Sequence, residues 1–209
     1  MPKIPIIDFN RSYTFSNYFD LPYEPEDILA EFEYSLVRSR ISFPRTSQEL
    51  KRLSILKEQI EESRPLISLT SEMARREFLI APILLEVARV ASAKLSSEYP
   101  MVVTDQLKGS LDYFLRSEGQ LLIVEANIAD LDRGFTQLAV ELIALEQWTD
   151  FSDRVLQGVV SNGTTWIFGQ LDRTKKQVTQ DIEFYTVPAN LEDLLRILVA
   201  ILEGACGLP

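Results

Sequence analysis

The sequence predicts an α/β fold, a mixed central sheet flanked by helices, and three observations carry that expectation. From residue 71 onward apolar residues recur at helical spacing, then in three strand-length runs, then at helical spacing again. Asn162-Gly163 separates two apolar runs, the strongest short hairpin signal in the chain. A last amphipathic stretch, LEDLLRILVAILEGAC, follows one further strand. Helix, three strands, helix, strand, hairpin partner and closing helix require a mixed sheet with helices on its faces.

The elements follow in order. Four prolines and many aromatics among the first 25 residues read as an arm that wraps over something apolar. Pro25 opens a helical turn, and EFEYSLVRSRISF (31 to 43) alternates as a strand does. Thr46 with Glu49 forms a capping box for a helix to about Ser63, whose stripe is Leu50, Leu53, Leu56 and Ile60. Residues 71 to 95 read as a core helix kinked near Pro82. Strands are expected around 101 to 104, 108 to 116 and 120 to 128, the last two joined by Glu118-Gly119. A helix over 135 to 148, the hairpin at Asn162-Gly163 and a strand over 178 to 187 come next. Asn190 with Asp193 caps the closing helix, which ends near Gly204. The expected organisation is an arm and helical extension over 1 to 65 and a main domain over 66 to 209, forming one compact unit.

Composition excludes several chemistries. The chain has 209 residues and no histidine, which removes imidazole acid/base catalysis, histidine-activated nucleophiles and histidine zinc sites. One cysteine, Cys206, allows neither a disulfide framework nor a thiolate cluster. Any metal must therefore sit among oxygens, which puts Mg²⁺, Mn²⁺ or Ca²⁺ first. No run approaches the ~20 apolar residues of a membrane span, and MPKIPIIDF is unlike a signal peptide. A cytoplasmic protein with no membrane partner is expected.

Net charge is −10, which argues against broad attraction to DNA. Residues 38 to 64 are locally basic, and Arg38, Arg40, Arg45, Lys51 and Arg52 are either a solvated face or a nucleic-acid contact.

Glu125 lies inside LLIVEAN, where a carboxylate costs several kcal/mol unless a cation or hydrogen bonds meet it. Strand alternation points Ile123, Glu125 and Asn127 one way and Leu122, Val124, Ala126 and Ile128 the other, toward the core. A hairpin about Glu118-Gly119 sets residues near Asp112 across from residues near Glu125, bringing the two carboxylates within ~5 Å. A divalent cation between them is the cheapest remedy for their repulsion.

Around these residues the text resembles the PD-(D/E)XK nuclease superfamily, in particular the N-terminal nuclease-type domains of type I restriction motor subunits and their stand-alone bacterial relatives. GSLDYFL resembles the strand with the Asp, LLIVEAN the E-x-K strand, GVVSNGTTWIFGQLD the strand and NG turn that follow, and ARREFLIAPIL the first core helix. The similarity covers roughly 71 to 202. It implies a restriction-endonuclease-like αβββαβ core and a Mg-dependent (or Mn-dependent) DNA endonuclease. It also implies that Asp112, Glu125 and the carbonyl of Ala126 hold the metal, with Glu77 within reach, and that Gln137 stands near the site. Glu141 shares a helix face with Gln137 at i, i+4, and the alternative for the two is that they are surface polars of the helix. The family's lysine is Asn127 here, and an amide brings no positive charge to the phosphate. Loss of one such group costs ~10²-fold or more in rate.

Three readings follow: a slowed endonuclease; a catalytically inactive nuclease-fold protein that binds a partner; and a structural ion pair of Glu125 with Arg133 or Arg75. Partners consistent with them are DNA, a protein, or a second copy in a homodimer through the closing helix.

Overall fold

The computed structural model describes residues 5–127, 130–150 and 154–204. Cys206 and Ile128 lie outside the described residues. Seven strands form one mixed sheet, β1 (Ser35–Ser39), β2 (Lys94–Val102), β3 (Lys108–Ser117), β4 (Gln120–Ala126), β5 (Val155–Ser161), β6 (Thr165–Asp172) and β7 (Gln177–Thr186). Their spatial order is β1-β7-β6-β5-β4-β3-β2. The β1/β7 and β4/β5 pairs are parallel and the rest antiparallel. The expected α/β class, a mixed sheet flanked by helices, is the architecture observed.

Helices α1 (Phe15–Asp20), α2 (Pro25–Ala30) and α6 (Leu131–Trp148) belong to one side of the sheet. There Phe15, Tyr18, Ile28 and Leu29 pack with Phe114, Ile123, Leu138 and Leu142. On the other side α3 (Leu53–Ser63), α5 (Ala81–Val90) and α7 (Leu191–Leu202) cluster with Leu122, Val124 and Trp166. Both faces of β4 are therefore core. Only the set containing Leu122, Val124 and Ala126 was expected to be, but Ile123 and Glu125 face α6.

Several boundaries differ from the sequence expectation for identifiable reasons. Thr46 does not open a helix: its Oγ1 accepts from the Gln48 N–H at 3.1 Å. Its N–H instead reaches the Arg196 carbonyl. These contacts tie the segment to α7 and delay α3 to Leu53. The helix expected over 71 to 95 is α4 (Glu72–Arg75), a π-helical turn (Arg76–Ile80) and α5. The widened turn lies just before Pro82, whose ring and missing N–H disturb the ladder. The helix ends at Val90, and Ser92 at φ 53° breaks it, so Lys94 already begins β2. Strand β1 covers only five residues of the expected 31 to 43 and joins β7, a parallel pairing that local pattern does not show. Asn190 makes no side-chain cap; its Oδ1 accepts from the Thr186 N–H and Oγ1.

No helix among the described residues is long and apolar enough to cross a membrane.

Candidate functional site

Strands β3 and β4 form the predicted hairpin, with Tyr113 opposite Val124. The ladder ends at this pair, and just beyond it the Asp112 side chain accepts the Ala126 N–H, which sets it beside Glu125. Glu125 points to the α6 side, as its neighbour Glu141 on that helix shows. Its neighbours are Asp112 and Glu141, and burial with these two acids raises its pKa well above the ordinary carboxylate range. Glu125 is 3% exposed and Glu141 wholly buried. Glu141 Oε1 accepts from Gln137 Nε2 at 3.0 Å. Its pKa is also raised, chiefly by burial, against the pull of that hydrogen bond. No fixed donor reaches the Oε2 atom of either glutamate, and the two carboxyls lie close enough to share a proton. Such an arrangement holds a proton between the carboxyls or attracts a cation, because two bare carboxylates in apolar surroundings repel strongly.

Asp112 is held differently. Its Oδ1 lies 3.1 Å from Arg76 Nη1 and its Oδ2 accepts from the Ala126 N–H at 2.8 Å. Burial nevertheless pushes its pKa up to about 6, with Arg76 and the Ala126 N–H opposing. Arg76 also pairs with Glu98 and stands over the Tyr113 ring, 5.3 Å from its centroid. Burial disfavours the Arg76 charge, but Asp112 and Glu98 more than compensate and its pKa goes up.

Of these residues, Asp112 and Glu125 line a cavity of about 510 Å³. Asp112, Glu125, Ala126, Asn127 and Gln137, all named from sequence, are brought together there. Glu77 is not among them and is exposed; Glu72 lines the cavity instead. Helical spacing explains the exchange, since Glu72 and Arg76 are four residues apart on one face and Glu77 is rotated ~100° from it. Glu98 also lines the cavity. It lies between the Ser97–Tyr113 and Tyr99–Leu111 pairs of the β2/β3 register with φ 50°, a backbone strain that the sequence does not announce. The arm supplies a wall: Thr14, Phe15, Ser16, Phe19 and Asp20.

Asn127 ends the strand with its N–H on the Ser161 carbonyl at 2.9 Å. Its Oδ1 accepts from the Asp130 N–H at 3.3 Å, and Asp130 in turn caps α6 through the Asp132 and Arg133 N–H groups. Gln137 and Glu141 are buried, so they are not surface polars of the helix.

The ion-pair partners proposed for Glu125 are engaged elsewhere. Arg75 donates to the Leu69 and Asn162 carbonyls, and Arg133 pairs with Asp130 at 3.8 Å. The basic stretch is largely neutralised: Arg38 pairs with Glu26, Arg40 with Glu183 and Arg45 with Asp193.

Among the described residues no three Asp, Glu or Cys side chains are grouped so as to hold a metal by themselves. The donor set still fits a hard cation that keeps most of its waters. Such an ion needs only one or two carboxylates, and the Glu125 Oε2, without a fixed donor, is one buried oxygen suited to it. No protein-family model matches the chain, and no curated protein matches it in sequence.

Proposed function

We propose that the cavity is the site of a metal-dependent phosphodiesterase of the PD-(D/E)XK type acting on DNA, slowed by Asn127 in the lysine position. The observation that carries this reading is the convergence of Asp112, Glu125, Ala126, Asn127 and Gln137 on one cavity. The element order α5, β2, β3, β4, α6, β5 is compatible with the αβββαβ core of that family.

Asp112 and Glu125 would hold Mg²⁺ or Mn²⁺, together with the Ala126 carbonyl. Such an ion supplies charge stabilisation for a phosphate under attack. Arg76 and the Ala126 N–H fix the Asp112 carboxylate, and Gln137 with Glu141 fixes the floor behind Glu125. The Asn127 amide can orient a water or a phosphate oxygen but offers no charge.

A second reading is favoured by one observation. The Asn127 oxygen faces the Asp130 N–H, a structural contact, so the scaffold would serve as a binding module without catalysis.

Nicking of supercoiled plasmid separates the two. The native chain should nick weakly with Mn²⁺, and Asn127→Lys should raise the rate ~10²-fold by returning a charged group. No rise in a folded, Mn²⁺-binding Asn127→Lys protein would favour the binding module.

A further inference from the structure

The geometry points to an unpaired DNA strand as the ligand of the cavity, with one base stacked on Phe19. The inference rests on the phosphodiesterase reading and specifies its substrate class.

Phe19 is only partly buried and lines the cavity that holds Asp112 and Glu125. The wall carrying it is built firmly. Tyr18 and Phe15, its neighbours on α1, are almost fully buried. The Tyr18 hydroxyl donates to the Gln106 carbonyl at 2.7 Å, and Gln106 Nε2 donates to the Phe9 and Arg11 carbonyls. Gly109 admits Phe15 closely: a Cβ there would lie 2.8 Å from Phe15 Cδ2. The ring is thus presented by a fixed surface.

Size and charge narrow the ligand. A cavity of about 510 Å³ belongs to the class that takes one drug-sized molecule. One nucleotide is of that class; a base-paired duplex is far larger. Asp20, Glu72, Glu98, Asp112 and Glu125 line the cavity, and among the described residues no lysine or arginine does. Duplex binding relies on cations that follow many phosphates. Here few phosphates can be met, so affinity must come from the base, and an aromatic ring accepts every base by its π face. Glu125 lines the cavity with its Oε2 buried and without a fixed donor, so it is a carboxylate that would hold a cation there, and that cation would offset phosphate charge.

Fluorescence anisotropy of the full chain with labelled oligo(dT) and with a blunt duplex, in Mn²⁺ buffer, tests this. Oligo(dT) should bind at least ~10-fold more tightly than the duplex, Phe19→Ala should lose about tenfold, and Phe19→Trp should restore binding. The salt slope should be no steeper than about −2, at ~0.7 per phosphate. Equal or tighter duplex binding, unchanged affinity in a natively folded Phe19→Ala, or no binding of oligo(dT) to the native chain overturns the proposal. A Mn²⁺-induced melting shift that Asp112→Ala abolishes keeps the metal reading standing even then. Phe19-dependent strand binding without that shift would retain the stacking site and remove the metal.

Discussion

Asp112 Oδ2 accepts the Ala126 N–H at 2.8 Å, so the acid of β3 is stitched to the strand that carries Glu125. With Arg76 on the other oxygen, Asp112 links α4 and its π-helical continuation, β3 and β4 at a single point. Removing it leaves a buried N–H without an acceptor and Arg76 with Glu98 as its remaining ion-pair partner.

Asp112→Ala should therefore destabilise the chain by about 2–4 kcal/mol, the range for breaking a buried charged pair. Urea unfolding at pH 7 measures this. A loss under ~0.5 kcal/mol, the level of an exposed ion pair, would show that Asp112 is not a structural tie.

Glu141 gives a pH prediction. Burial raises the pKa of Glu141 and of its neighbour Glu125, so the folded chain keeps protons that the unfolded chain has already lost. Stability must then fall as pH rises from the ordinary glutamate range toward the raised values, at up to ~1.4 kcal/mol per unit for each such group. Glu141→Gln cannot ionise and its amide oxygen can still accept from Gln137. The variant should exceed the native chain in stability by ~2 kcal/mol or more at pH 8 and by little near pH 4.5. Parallel stability curves across that range would contradict a raised Glu141.

Much of this arrangement is legible in the sequence because it is local. The β3/β4 register follows from Glu118-Gly119 and the two-residue period, and that alone places Asp112 by Glu125. Helical spacing puts Gln137 and Glu141 on one face, but their burial depends on how α6 crosses the sheet. Glu98, Glu72 and the arm wall reach the cavity through tertiary packing. At the site, the π-helical turn and the strained Glu98 backbone are local departures, and neither has a sequence signature. The parallel β1/β7 pair joins residues about 140 apart, beyond any local pattern.

Gly134 decides how closely α6 approaches the site. A Cβ there would lie 2.9 Å from Asn127 Cβ and from Val160 Cγ2. Gly134→Ala should gain helix propensity yet lose ~1–3 kcal/mol by overpacking. It should also move Asn127, visible as a shifted Asn127 amide signal in NMR. A variant of raised melting temperature with that signal unmoved would show that α6 can retreat without disturbing the site.

The arm's attachment is concentrated in Gln106, whose single amide nitrogen serves the Phe9 and Arg11 carbonyls at 2.9 and 2.8 Å. The Asp105 carbonyl next to it accepts the Tyr13 N–H at 2.8 Å. Gln106→Ala removes both side-chain contacts, at about 1–3 kcal/mol for the carbonyls left without that donor. That loss falls on the arm first, because Phe15 and Tyr18 on α1 are bound to the main body mainly by burial. Limited proteolysis should therefore cut Gln106→Ala near Arg11 several-fold faster than the native chain, while global unfolding shifts far less. Equal cleavage rates would mean that apolar packing of α1 alone holds this wall of the cavity in place.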